Sequence, residues 1–443
     1  MDNSLIGIKK FKVLLIISIY RLLLDEIYIR IIVPNYEYYG FHNYRNFNWL
    51  LMSWFYLIIM TYLYGKIFLS KHRRSSSLVV CVLYIISFVP STSLLSMGLF
   101  THGYSVAIII YWLTLYFTQC WNLKRKATPF PNIVVGKFQL GDRVLFLLGV
   151  ISVTTVLYIS FAYTGFRINF NLYSVYDLRI EYRTYSLPLI LDYFFAWSKI
   201  INQILYAYLL VKKKKYYAIL LFFVQILSFG IDGSKTTLFM LFVSTLVVLG
   251  YRFIKNVSLR IVVPYAVTGI SVLSLLELFV LKTSNIALFV LRRMLFLTNY
   301  ISYCYYDFFG HNEPDYFRSS FLRYFGVDSP YKGEGYDIST IIGDLYIMRG
   351  MSCNNGLIAD SVANLGKIGL IIMPIMLVAV LRIYDKCTID MDERMILAIT
   401  LYLSILLSNS FLLTTLLTHG LILILIVLSF VKNSESKKSV TFN

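Results

Sequence analysis

Apolar runs long enough for a helix to cross a hydrocarbon core of ~30 Å constrain this chain more than any other feature. About twelve such runs occur, at roughly 11–33, 48–69, 78–97, 104–121, 143–163, 187–211, 216–231, 236–254, 258–281, 366–384, 394–410 and 411–431. They set the fold class as all-α: a polytopic transmembrane helical bundle. Composition agrees, with 58% hydrophobic and 14% charged residues and a mean hydropathy of +0.69, outside the soluble globular range. No period of 20 to 50 residues stands out, so the sequence does not support a repeat array.

Short loops give the orientation. "KIFLSKHRR" (66–74), "NLKRK" (122–126), "KKKK" (212–215) and "YRFIK" (251–255) follow every second span. "KKFK" (9–12) and "KNSESKK" (432–438) put both termini on the same side. By the positive-inside rule that side is the cytoplasm. The first span lacks a small-residue cleavage site and reads as a retained helix. The net charge of +18 is largely this anchoring, with no basic folded domain for nucleic acid.

Three regions follow: an N-terminal bundle of about nine spans over 1–281, a large periplasmic loop over 282–365, and C-terminal spans with a cytoplasmic tail over 366–443. Segments 34–47 and 164–186 also lie outside. Within 282–365, "LRRMLFL" (291–297) reads as a partly amphipathic helix lying against the membrane or the bundle. The outer stretch "LYSVYDLRIEYRTYSLP" (172–188) packs Asp177, Arg179, Glu181 and Arg183 among tyrosines, on the side where the topology rule disfavours cations. That charge asks for a ligand.

Cys81, Cys120, Cys304, Cys353 and Cys387 form no CxxC pair, and the five histidines accompany no metal-ligand pattern. No metal or other cofactor is expected. A Cys304–Cys353 disulfide is the one pairing the topology permits; two unpaired thiols are the plainer expectation. Guanidinium groups grip phosphate bidentately, and an outward cation in a membrane protein suits a lipid-linked diphosphate. Tyrosines nearby can stack on sugar faces, although interface anchoring is the plainer role of any one of them.

The islands "IYIRIIVPNYEYYGF" (27–41), "YSVYDLR" (173–179), "GIDGSKTTLFMLF" (230–242) and "CNNGLIADSVANLGKIGLI" (353–371), with the long loop before the last, occur in that order. In this the chain resembles the Wzy-type oligosaccharide repeat-unit polymerases of bacterial O-antigen and capsule. The resemblance covers nearly the whole length as architecture with short islands. It departs in one respect: no arginine of the outer loops has glycine eleven positions on, so the paired Arg-x10-Gly loops of some members are missing.

The resemblance implies a bundle like those of the GT-C-like polysaccharide polymerases and ligases, in the bacterial inner membrane. It implies polymerisation of undecaprenyl-diphosphate-linked oligosaccharides on the periplasmic face, with a chain-length regulator and a flippase as partners. Such a glycosyltransferase needs cations for the departing diphosphate, a base for the attacking hydroxyl and a cavity that aligns both lipids. Arg179 and Lys235 are the first candidates for the cations; Asp337 and Asp344 are candidates for the base. Arg183, Arg292, Arg293, Arg323, His311, Asn355 and Asp360 are candidate substrate-binding residues, with Arg349 behind them. Structural roles compete: Asp177 pairing with Arg179, Asp232 with Lys235, Lys367 with Asp360, and Glu277 with Lys199. Asn354 or Asn355 capping the next helix is another. A lipid-linked oligosaccharide flippase, an O-antigen ligase, a membrane O-acyltransferase and a purely structural membrane protein are the rival readings.

Overall fold

The computed structural model describes residues 3–70, 74–128, 140–169, 175–254, 258–333, 336–389 and 391–436. Expectations placed on residues 71–73, on Tyr173 and Ser174, and on the tail from 437 lie outside them. The described residues fold as helices and connecting turns; the one β-type pairing among them is the isolated Gly333–Tyr336 bridge. Among the described residues, nine helices are long and apolar enough to cross a membrane, and Lys235–Tyr251 is a shorter apolar helix. Two further runs read from the sequence also fall below that length or apolarity. Asn3–Ile27 carries Arg21, Asp25 and Glu26, and Glu393–Asn409 is only 17 residues long.

The chain divides into two compact units. The first comprises Met1–Lys126, Val257–Arg382 and Ser404–Thr414; the second comprises Ala127–Asn256, Ile383–Leu403 and Thr415–Asn443. In the first, the Ser75–Ser96 helix is the axis, and all of its apolar window is buried. Its sequence explains that position. Serines 75–77 and the Ser91–Ser93 cluster are small enough to admit neighbouring backbones and polar enough to bond across helices. Thr92 accepts from Arg21 through its hydroxyl at 3.0 Å and its carbonyl at 2.7 Å, and Ser93 donates to Asp25. Arg21 and Asp25 pair one helical turn apart, almost fully buried, and Arg45 reaches Asp25 at 3.3 Å. Every charge in this network has a partner, the condition for burying it.

The 282–365 segment, expected as a loop, opens instead as a helix of this unit. A π-helical stretch Ala287–Leu297 runs directly into the α-helix Thr298–His311. Leu291, Leu295, Phe296 and Leu297 are buried, so the amphipathic face of "LRRMLFL" meets the bundle. Asn299 fixes this helix against the Ser75–Ser96 axis. It accepts from the Ser87 and Ser91 hydroxyls at 2.9 and 3.0 Å and donates to the Ile86 carbonyl at 3.2 Å. Only beyond His311 does the chain become irregular, broken by Leu322–Phe325 and Ile338–Tyr346.

In the second unit the helix Leu189–Val211 packs on Leu140–Ile159, Lys215–Asp232, Lys235–Ile254 and Leu421–Ser436. A core of Val156, Ile159, Phe195, Val224 and Ile231 is capped by Tyr163, Tyr182, Tyr185 and Leu187. The connection between the helices ending at Thr164 and starting at Leu189 is therefore built onto the bundle through its own side chains.

Candidate functional site

The connection 165–188 is positioned by arginine, carboxylate and glycine. The chain leaves its helix at Gly165, in the left-handed conformation at φ +56°, and turns back to Arg167. The short helix Val175–Thr184 then buries Val175 and Leu178. Arg167 reaches both Glu181 oxygens through Nη1, at 2.8 and 3.2 Å, and donates from Nη2 to the Gly230 carbonyl at 3.1 Å. Tyr185 donates to the same carboxylate at 2.9 Å. These donors, Arg167 foremost, hold the Glu181 carboxyl below its ordinary range. The Arg167 Nε–H is buried with no acceptor among the described residues. On the opposite side the helix rests on Gly233, at φ +64°, where a Cβ atom would stand 2.9 Å from the Val175 carbonyl. Glycine alone fits that contact.

Pinned this way, the helix displays Arg179 and Arg183, four residues apart on its exposed face. Neither has a hydrogen-bond or ion-pair partner among the described residues. The expected Asp177–Arg179 pair is not formed, because side chains two apart on a helix point away from each other. Two guanidinium groups at i,i+4 repel, so this arrangement is unfavourable until an anion joins it. Lys235 begins its helix two residues beyond Gly233, and so flanks the contact with Val175 and Leu178. It is half-buried and has contacts of its own. Asp232 pairs with Lys199, at 2.5 Å with side chains 12% and 18% exposed, and also accepts from the Ser234 N–H at 2.9 Å. The partner expected of Asp232 was Lys235. The partner expected of Lys199 was Glu277, whose carboxylate accepts from Thr283 and the Asn285 and Ile286 N–H groups instead.

The remaining candidates belong to the first unit, and most have structural tasks there. Asp337 is the N-cap of Ile338–Tyr346 in a capping box with Thr340, accepting at 2.9 Å from the Thr340 N–H. Asp344 accepts from the Gly350 N–H at 2.6 Å and closes the following loop. Asn355, one of two expected caps, donates to the Thr298 carbonyl at 2.7 Å and the Ser302 hydroxyl at 3.0 Å, tying its loop to the Thr298–His311 helix. Asp360 is buried, one oxygen accepting from Asn364 at 2.7 Å and the other from the Leu412 N–H at 2.6 Å. It is closed to a sugar, and Lys367 stays exposed rather than pairing with it. Arg292 lies over the Tyr36 ring at 4.2 Å; Arg293 is half-buried and has contacts of its own. His311 is exposed, its Nδ1 3.0 Å from the Asp307 carbonyl, and Arg323 is exposed in a 3₁₀ turn. Cys304 and Cys353 are both free thiols. Burial pushes the Cys353 thiol up to about 11, against the pull of the Arg293 charge.

The structure therefore groups Arg179, Arg183 and Lys235 on one unit and leaves them with Arg167 and Lys199, neither of which the sequence singled out as a site residue. The signal for Arg167 was its place just outside a span, in the same outer loop as "YDLR". Among the described residues no group of three or more His, Cys, Asp or Glu side chains is arranged to hold a metal ion. Comparison of this chain with protein-family models, curated proteins and solved structures finds no match to any of them.

Proposed function

We propose that the protein is a polysaccharide polymerase of the bacterial inner membrane, joining undecaprenyl-diphosphate-linked oligosaccharide units on the periplasmic face. The observation that carries this reading is the Arg179–Arg183 pair. Two exposed guanidinium groups without partners among the described residues are held one turn apart on a helix that Arg167, Glu181 and Gly233 lock in place. In the orientation expected from the Lys and Arg bias, they face outside at the level of lipid headgroups. A diphosphate meets that chemistry, since each guanidinium presents a planar fork to phosphate oxygens. The acceptor hydroxyl attacks the anomeric carbon of the donor, the C–O bond to the diphosphate breaks, and its electron pair leaves with undecaprenyl diphosphate. Arg179 and Lys235 stabilise that departing charge.

Chain-length profiles of the surface polysaccharide test this. Removing a cation aimed at a developing anion costs ~3–4 kcal/mol, a few hundredfold in rate. Arg179→Ala abolishes long chains, Arg179→Lys restores them in part because a lysine point charge lacks the fork, and Lys235→Ala resembles Arg179→Ala. Lys214→Ala is normal. Protein abundance in the membrane is measured beside each profile. Full-length polymer from a normally accumulating Arg179→Ala protein excludes the role. Long chains that form but remain on the lipid carrier point to a ligase instead.

A further inference from the structure

One face of the Thr298–His311 helix leaves several polar atoms without hydrogen bonds among the described residues, although Tyr300 packs on Phe41 at 5.2 Å. Tyr300, Tyr303 and Asp307 follow at i, i+3 and i+7, with Tyr306 at the margin, so they form a single stripe. All four are half-buried, while Ile301, Ser302, Cys304 and Tyr305 between them are buried. The rings make a continuous wall. Tyr300 and Tyr303 have centroids 6.2 Å apart; Tyr104 lies 5.4 Å from Tyr303 and 5.2 Å from Tyr306; Phe100 backs Tyr303 at 5.4 Å. The Asp307 carboxylate interrupts this wall. Its Oδ2 accepts from the Tyr346 hydroxyl at 2.7 Å, and the charge lies close enough to act on Tyr300 and Tyr303. Among the described residues, Oδ1 and the hydroxyls of Tyr300, Tyr303 and Tyr306 have no hydrogen-bond partner, and no basic side chain pairs with Asp307.

A belt of interface tyrosines does not account for this. Such rings anchor singly in headgroups, whereas these pack against one another at tilted angles beside a carboxylate that lipid would not solvate. A carboxylate oxygen and several phenols set among flat apolar rings match a sugar, which offers hydroxyl donors and acceptors around an apolar C–H face. We propose that this face is a saccharide-binding site, in which a sugar ring stacks on Tyr303 and donates hydroxyl hydrogens to Asp307. The identity of the sugar as the acceptor unit's end rests on the polymerase reading; the site itself does not.

The test uses the purified full chain in detergent and, as probe, the oligosaccharide released by mild acid from the lipid-linked fraction of the producing strain. Binding is followed by calorimetry and by saturation-transfer NMR. Wild type binds saturably, and Asp307→Asn weakens binding about tenfold or more, the scale of a charged hydrogen bond. Tyr303→Ala weakens it several-fold, and Tyr303→Phe, which keeps the ring, much less. Tyr346→Phe separates the roles. If Asp307 served only as an anchor for Tyr346, this variant would match Asp307→Asn; near-normal binding is expected. Should Asp307→Asn fail to accumulate, Tyr303→Ala at the helix surface carries the same test. No saturable binding to wild type, equal binding to Asp307→Asn and Tyr303→Ala, or preferential binding of choline as a cationic probe overturns the proposal. Arg179→Ala distinguishes the two readings, since the probe carries no diphosphate and should bind this variant normally. Normal polymer from Arg179→Ala with probe binding lost in Asp307→Asn leaves the saccharide site standing and removes the diphosphate role. Lost polymer from Arg179→Ala with unchanged binding to Asp307→Asn does the reverse.

Discussion

Arg167 carries more of the candidate site than any cation that contacts solvent freely. It alone bridges Glu181 to the Gly230 carbonyl, with side chains 33% and 40% exposed across the ion pair. A pair that open is discounted for screening, to about 1 kcal/mol or less. Its consequence is local: the docking of Val175–Thr184. Glu181 titrates lower in the folded protein than in the unfolded chain, where its pKa is about 4.3. The contribution is therefore complete above that value and fades as pH falls through the lower folded one. Protection factors (exchange relative to the unfolded-chain rate at the same pH) for residues 175–184 should be unchanged between neutral pH and pH of about 5, then fall on further acidification, while the core around Phe195 keeps its protection. Arg167→Lys should produce the lowered protection at neutral pH, because one ammonium cannot span the carboxylate and the carbonyl together. Uniform protection of 175–184 in the variant would show that Gly233 packing alone holds the helix. The residue scale also shows what the sequence left readable. "YDIST" contains the Asp-x-x-Thr spacing of a capping box, and its Asp337 caps a helix rather than standing free as a base.

Elements were readable where hydropathy alone decides. The runs at 48–69, 104–121 and 187–211 correspond within a few residues to Phe47–Phe68, His102–Lys124 and Leu189–Val211. Of Ala287–His311 only "LRRMLFL" (291–297) was readable as a helix; its continuation through His311 was not, because Arg292, Arg293, Asn299 and Ser302 dilute the apolar signal. Its burial depends on acceptors and donors supplied from Ser87, Ser91 and Ile86, some 210 residues away in sequence. Nor was the bend in Ile358–Thr388, expected to start only at 366. Gly366 stands at φ 58°, ψ −148° inside this helix, a backbone region open essentially to glycine, and a Cβ there would meet Pro314 Cγ at 3.1 Å. Gly366→Ala should lower stability by about 1–3 kcal/mol, measured as a reduced unfolding temperature in detergent. Gly250→Ala, in open space at an ordinary helical position, should be neutral or slightly stabilising. Equal behaviour of the two variants would mean that the helix runs straight through 366.

For the whole molecule, every proposal about sites depends on which ends of the helices face outward, and that orientation follows from charge. The basic groups at 66–74, 122–126, 212–215 and 251–255 recur after alternate spans, so one assignment satisfies all four together. Inverting the chain would place all of them outside at once, whereas the present assignment leaves outside Arg167, Arg179 and Arg183 of the short 165–188 connection and the arginines of 282–365, a segment long enough to be translocated regardless of charge. Reporter fusions after Arg74, Lys126 and Lys214 should therefore be active in the cytoplasm, and fusions within 165–185 and 312–350 should be active outside. The helical character of Ala287–His311 makes this second pair a sharper test than a simple loop would. If that helix crossed the membrane instead of returning to the side it left, fusions at 312–350 would change sides while those at 165–185 would not. That result would separate the Asp337 and Asp344 region from the Arg179 helix across the membrane. Cytoplasmic activity from fusions at 165–185 would remove the polymerase reading altogether, because its donor and acceptor lipids meet only on the far side.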